Sequence, residues 1–210
     1  MISIALPKGR LGEKVYSLFE KAGYSVDSSL FSSRQLVFTN EEKNVRYFWV
    51  KPADVPIYVT RGVADLGAVG LDTLSETKPD VYELLDLKLG KCSLCIASTK
   101  DYSESNNKRI KVATKYPHLS KEYYLKKGKD IEIIKLSGSI EIAPLLGLSD
   151  CICDIVETGT TLKENNLFIY DTVMQISAYL ISNKSSFLFH KKEILEIKEK
   201  LERIVEEKND

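Results

Sequence analysis

The stretch DIVETGTTL, residues 154–162, ends an apolar run with two carboxylates and then sets a glycine among three threonines. Gly159 admits backbone angles that other residues resist, while Thr158, Thr160 and Thr161 add hydroxyls to the N–H groups of the loop. Such a loop can cradle a phosphate. Asp154 and Glu157 add what a plain anion site lacks, because a carboxylate accepts from the vicinal hydroxyls of a ribose while nearby amides hold its 5′-phosphate. A glycine turn capped by threonine, with no ligand, is the other reading of these residues. A Walker A loop is excluded, because no Gly-Lys-Ser/Thr follows four variable residues. A second cluster stands near the amino terminus, where Lys8, Gly9 and Arg10 fall between an apolar run and a helical pattern.

These residues need elements to hold them. ISIALP reads as a short buried strand stopped by Pro7, and LGEKVYSLFEKAG places Leu11, Val15, Leu18 and Phe19 on one helical face. The KGR turn is thus expected at the carboxyl end of a strand and the start of a helix, where α/β sheets collect ligands. QLVFTN and VRYFWV read as extended, KPADVPIYVTRG as a helix opened by Pro52 and Asp54, and ADLGAVG as a strand with a glycine turn. KCSLCIAS, KRIKVATK, DIEIIKLS and CICDIVETG are further strands, with helices at SKEYYLKKG and IEIAPLLG. Alternation of this kind predicts a mainly parallel sheet. The segments GVADLGAVGLDTL and GLSDCICDIVETGTTL echo each other faintly, which suggests two similar lobes. The last residues carry Ile194, Ile197, Leu201, Ile204 and Val205 along one stripe, an amphipathic helix expected to dock on its own lobe. With MQISAYLISNK it is expected to return to the first lobe, so that residues 1–90 and 176–210 form one lobe and residues 91–175 the other.

Bulk properties narrow the function. The 210 residues are 43% apolar and balance 30 acidic against 30 basic side chains, so no electrostatic footprint for nucleic acid or an anionic membrane is expected. The apolar start is too short for a signal sequence and nothing approaches a spanning segment, which predicts a cytoplasmic protein. Cys92 and Cys95 form C-x-x-C, and Cys151 and Cys153 form C-x-C, a conceivable zinc set. Both pairs lie in strand-like apolar runs without a glycine knuckle, and they are read as reduced strand cysteines. His118 and His190 fall outside the motifs and are expected to have surface or packing roles. Trp49 is expected in a core or interface, and Tyr116 beside Lys115 near a cleft.

Residues 141–162, EIAPLLGLSDCICDIVETGTTL, resemble the signature of the ATP phosphoribosyltransferase family. LPKGRL, SRQL, PADVPIYVTRGVADLGAVGLD, YELLDLKLGKCSL and ATKYP resemble other segments of that family in the same order. The resemblance covers nearly the whole chain and is to the short catalytic form. It implies a two-lobed α/β fold, periplasmic-binding-protein-like (type II), with its active site in the interlobe cleft. It implies transfer of phosphoribosyl from 5-phosphoribosyl 1-pyrophosphate to N1 of ATP, with release of pyrophosphate, as the first step of histidine biosynthesis. Asp154, Glu157, Thr158, Gly159, Thr160 and Thr161 would hold the phosphoribosyl group, and Gly70, Asp72 and Glu141 the nucleotide. Arg10 and Arg34, assisted by Lys8, would meet the leaving pyrophosphate, since a guanidinium matches phosphate oxygens and stays charged. Magnesium (Mg2+) would ride on the pyrophosphate rather than on protein ligands. The expected partners are a histidyl-tRNA-synthetase-like regulatory subunit in a hetero-oligomer and a second catalytic chain in a homodimer. Asp72 and Glu141 could equally be helix caps.

Two other functions compete. Two α/β lobes also describe a solute or anion-binding module without catalysis, although the sequence shows neither an export signal nor a helix-turn-helix. A phosphoribosyltransferase acting on a free base would also place acidic residues before a Thr-Gly loop; LPKGR and the length of the resemblance favour the ATP enzyme.

Overall fold

The computed structural model describes residues 1–26, 35–103 and 109–207. It begins with β1 (Ile2–Pro7), every residue of which is buried. There follow α1 (Arg10–Lys21), β2 (Val37–Asn40), β3 (Val45–Val50), a 3-10 turn (Pro52–Asp54), α2 (Val55–Thr60), β4 (Leu66–Gly70), α3 (Leu71–Thr77) and β5 (Tyr82–Asp86). The chain continues through β6 (Cys92–Ser98), β7 (Ile110–Thr114), α4 (Pro117–Lys126), β8 (Ile131–Lys135), α5 (Ile142–Leu145), β9 (Cys151–Val156), α6 (Thr160–Glu164) and β10 (Phe168–Ile176). It ends with β11 (Ala178–Ser182), α7 (Lys184–Phe189) and α8 (Lys191–Glu207). The contacts divide the chain into two units: Met1–Leu74, Lys78–Gly90 and Ser177–Asp210 in the first, Ser75–Thr77 and Lys91–Ile176 in the second.

The first unit carries a six-stranded sheet in the order β2-β3-β1-β4-β11-β5. Because side chains alternate along a strand, Ile2, Ile4 and Leu6 of β1 enter one core and Ala5 another. The first core receives α1 through Val15, Leu18 and Phe19 and α8 through Ile194, Ile197, Leu201 and Val205. Tyr47 sits at its centre, with the rings of Tyr16 and Phe19 edge-on and its hydroxyl donating to the Tyr24 carbonyl at 2.8 Å. Burial pushes that phenol well above its ordinary range. On the opposite face Phe48, Val55, Val59 and Leu74 close the sandwich. A strand covered on both faces is almost wholly apolar; the one polar residue of ISIALP, Ser3, is buried with its hydroxyl accepting from Arg46 Nη2 at 2.8 Å.

The second unit carries a five-stranded sheet in the order β10-β6-β9-β7-β8. Ala97, Ala113 and Ile152 lie on one face with Ala143 of α5 and Leu162 of α6. Tyr124 of α4 is fully buried and its hydroxyl lies 3.3 Å from Cys151 Sγ.

The mainly parallel sheet expected from the alternation of elements is not what forms. β1 pairs in parallel with β3 and β4, and β7 with β8 and β9, but β2–β3, β4–β11, β5–β11, β6–β9 and β6–β10 are antiparallel. Parallel neighbours need a long crossover, whereas β2 and β3 are joined by a tight turn in which Asn40 Oδ1 accepts from the Lys43 N–H and Asn44 takes a left-handed φ of 54°. The chain also runs directly from β10 to β11, bringing both into their sheets against their neighbours.

The cysteine pattern follows from the same alternation. Cys95 stands opposite Asp154 and Cys153 opposite Ile96, so these two thiols point to opposite faces of the sheet. No cysteine is bridged, and Cys95, Cys151 and Cys153 are buried.

Gly12 is the most closely packed of the first unit's glycines. A methyl group there would stand 1.8 Å from the Pro7 carbonyl oxygen and 2.5 Å from a Trp49 ring carbon. Gly12→Ala is expected to cost about 2–3 kcal/mol of unfolding free energy by overpacking, read as a lower denaturant midpoint; an unchanged midpoint would contradict this packing.

Candidate functional site

The first unit presents two turns at the carboxyl ends of adjacent parallel strands. At the end of β1 the Lys8 N–H donates to the Val50 carbonyl at 2.7 Å, and Gly9 takes a φ of 95° before α1 begins at Arg10. That positive φ is the reason a glycine separates the two cations, since other side chains resist it. At the end of β4, Gly70 is required for a different reason. Its φ is ordinary, but a Cβ would lie 2.1 Å from Asp72 Oδ1. The carboxylate of Asp72 therefore folds back over Gly70 in the first turn of α3, nearly buried, and Thr73 Oγ1 donates to it at 3.3 Å.

Beside the first turn is a cavity of about 450 Å³. Lys8, Gly9 and Glu13 edge it, and Tyr16, Phe38 and Trp49 wall it. A flat ring joined to an anionic group suits aromatic walls with an ammonium at the rim. No signal in the sequence marks these aromatic walls as site residues. Tyr16 lies on the apolar face of α1, and nothing in its spacing separates a cavity wall from a core side chain. Arg34 lies outside the described residues.

The second unit positions the phosphate-loop candidates. β9 delivers Asp154 two residues before its carboxyl end, Glu157 follows, and Gly159 adopts a left-handed φ of 75° that starts α6. A methyl group would meet nothing closer than 3.8 Å there, so Gly159 is demanded by its backbone angle rather than by space. Thr158 Oγ1 and Thr160 Oγ1 are 3.0 Å apart, and the Thr160 N–H points at Thr158 Oγ1 at 3.4 Å. Glu157, Thr158, Thr160 and Thr161 are exposed, while Leu162 is buried and anchors the loop to the core.

Asp154 is the electrostatically unusual member. Burial raises its pKa above the ordinary carboxylate value; the Ile155 backbone N–H and the charge of Lys115 oppose this, and the charge of Glu141 adds to it. Glu141 sits at the start of α5 in helical conformation and makes no side-chain cap. The structure thus brings Asp154, Glu141 and the threonine loop into one unit, and Lys8, Arg10, Gly70 and Asp72 into the other. Lys115 adjoins Tyr116 in sequence, and its charge acts on Asp154 only because β7 and β9 are neighbours in the sheet, which spacing along the chain does not reveal. His118 lies on the exposed side of α4 beside Glu122, Nε2 to Oε2 3.6 Å, and His190 follows the last turn of α7. Among the described residues no group of three or more His, Cys, Asp or Glu side chains is arranged to hold a metal ion. No described helix is long and apolar enough to cross a membrane.

Comparison with known proteins bears on this geometry. The family model for HisG, ATP phosphoribosyltransferase, matches residues 51–203, which include β9 and its loop. An ATP phosphoribosyltransferase of Brachyspira hyodysenteriae is 56% identical over 206 residues, 98% of this chain and 100% of its own length. Another from Listeria welshimeri is 48% identical, covering 98% of this chain and 97% of that protein. Among solved structures, a chain of the ATP phosphoribosyl transferase (HisG:HisZ) complex from Thermotoga maritima superposes with a TM-score of 0.86 at 34% identity, covering 99% of this chain and 100% of that one. On this match over most of its length, the chain belongs to the ATP phosphoribosyltransferase family.

Proposed function

We propose that this chain transfers the phosphoribosyl group of 5-phosphoribosyl 1-pyrophosphate to N1 of ATP, releasing pyrophosphate, and so performs the first step of histidine biosynthesis. The observation that carries the reading is the β9 loop, where a half-buried carboxylate, a left-handed glycine and exposed threonines follow one another within the region of family match. In this reading the 5-phosphate rests on the loop amides and the hydroxyls of Thr158, Thr160 and Thr161, while Asp154 and Glu157 accept from the ribose hydroxyls.

The C1–oxygen bond to pyrophosphate breaks as the bond from N1 of the adenine forms. C1 becomes cationic and the departing pyrophosphate gains negative charge. The adenine nitrogen attacks with its own lone pair, so no general base is needed and the protein's work is placement and charge stabilisation. Lys8, Arg10 and Arg34 are assigned to the leaving group, and Gly70, Asp72 and Glu141 to the nucleotide. Magnesium would be held by the substrate's pyrophosphate oxygens, where it neutralises developing charge.

The two units are read as the lobes of a type II periplasmic-binding-protein-like fold. The proposed partners are a second catalytic chain and a histidyl-tRNA-synthetase-like regulatory subunit. Support comes from the Thermotoga maritima neighbour, which is a HisG:HisZ complex, and from the match to the full length of the short Brachyspira hyodysenteriae relative. A cytoplasmic setting fits a biosynthetic enzyme of this kind.

Pyrophosphate release should require ATP, 5-phosphoribosyl 1-pyrophosphate and magnesium together, and should rise when the regulatory subunit is added. Release with a free base in place of ATP, or none from folded protein, would overturn the reading. Asp154→Asn should lower kcat/KM for the phosphoribosyl donor roughly 10- to 100-fold, the value of a hydrogen bond to a charged group. Its stability should move the other way. A carboxyl whose pKa is raised on folding costs stability once pH exceeds the unfolded value, so Asp154→Asn should melt above the parent at neutral pH. The gain should vanish near about pH 3, where the parent carboxyl is protonated in both states. A lower melting temperature at neutral pH would show that the charge is stabilised in the folded chain.

A further inference from the structure

We propose that Glu76 is a positioning residue of the phosphoribosyl site: its carboxylate caps the amino terminus of α4 and so fixes the turn that braces the end of β9. The inference rests on the reading of the β9 loop as the phosphoribosyl site and names what holds the root of that loop in place.

The geometry begins with a helix that does not cap itself. Tyr116 stands at the N-cap of α4 and its side chain accepts nothing from the helix amides. The first N–H groups of a helix have no partner inside it, and Pro117, the first residue of α4, has no N–H to satisfy. The next two amides are met from far along the chain. Glu76 Oε1 accepts from the His118 N–H and Oε2 from the Leu119 N–H, each at 2.9 Å. Glu76 lies in the last turn of α3, where Ser75–Thr77 belong to the same unit as α4. Use of both oxygens fixes the carboxylate in direction as well as distance, and its charge suits the positive end of the helix dipole.

From the capped turn, hydrogen bonds continue to β9. Ser120 Oγ donates to the Tyr116 carbonyl at 2.7 Å, closing the first turn of α4. The Tyr116 N–H donates to Thr114 Oγ1 at 2.8 Å, and the Thr114 hydroxyl donates to the Cys153 carbonyl at 2.6 Å. That carbonyl belongs to the peptide joining Cys153 to Asp154. Thr114, Ser120 and Cys153 are fully buried, so water does not compete for these bonds. A capped α4 therefore holds Tyr116, Tyr116 orients the Thr114 hydroxyl, and that hydroxyl holds the peptide from which Asp154 and the threonine loop depart. Without Glu76 the first turn of α4 loses two acceptors and frays, and the looseness passes along the same bonds.

The test measures binding of 5-phosphoribosyl 1-pyrophosphate with magnesium by calorimetry, with steady-state kinetics alongside. The proteins are the parent, Glu76→Ala, Glu76→Gln, Thr114→Val and the Glu76→Ala/Thr114→Val pair. Glu76→Ala should raise Kd and KM for the donor roughly tenfold with kcat little changed, and the amides of His118 and Leu119 should exchange faster. Glu76→Gln keeps the side-chain length and one carbonyl acceptor; it should fall between the parent and Glu76→Ala, and it carries the test if Glu76→Ala does not fold. The paired variant should bind no more weakly than the weaker single one, because both changes interrupt one series of bonds. Unchanged exchange at His118 and Leu119, unchanged donor affinity once those amides are released, or losses that add in the pair would each overturn the proposal. A parent that binds no donor would refute the functional reading instead, and exchange at the two amides would still report the cap.

Discussion

Asp154 sets a carboxyl near the end of a strand whose preceding residues are sealed from water, and that burial raises its pKa. Cys151, Ile152 and Cys153 are buried so that β9 can sit in the middle of its sheet, and Asp154 comes immediately after them. The apolar residues that give the strand its place also raise the cost of charge where the strand ends. The Ile155 backbone N–H and the charge of Lys115, just past the end of β7, oppose that shift, and three residues later the chain enters an exposed loop. Energy held in an awkward charge is available to a ligand that hydrogen-bonds to it, which is how a site can be less stable than its scaffold and still specific.

The glycines show the same economy of place. Gly9 and Gly159 each take left-handed backbone angles at the start of a helix, in different units, and each leaves N–H groups where a phosphate could be received. Gly12 and Gly70 are there for space, one under Trp49 and one under the Asp72 carboxylate. Removing a Cβ thus serves two ends: freedom of the backbone where a helix begins, and close approach where a side chain must fold over a turn.

Much of this was legible in the sequence because the local and tertiary signals agree. ISIALP, VRYFWV and CICDIV are strands, the stripe Ile194, Ile197, Leu201 and Val205 is the buried face of α8, and DIVETGTTL does leave a strand through a left-handed glycine. What the chain hides is the pairing. Strand direction depends on crossovers, so the antiparallel partners of β4, β6 and β11 could not be read from alternation, and the short α7 was not seen because LISNKSSFLF carries no helical stripe. The same holds for Thr114 and Cys153: 39 positions separate them in the chain, and only the β7–β9 register closes them. The aromatic wall of Tyr16, Phe38 and Trp49 likewise exists only once α1, β2 and β3 are assembled.

The central claim is that the β9 loop receives the phosphoribosyl group. Backbone amide hydrogen exchange, followed residue by residue with and without 5-phosphoribosyl 1-pyrophosphate and magnesium, tests it most directly. The account predicts that amides of residues 157–162 slow on ligand addition and that Asp154→Asn weakens the effect. Protection confined to residues of the other unit, with the β9 loop unchanged at saturating ligand, would contradict it.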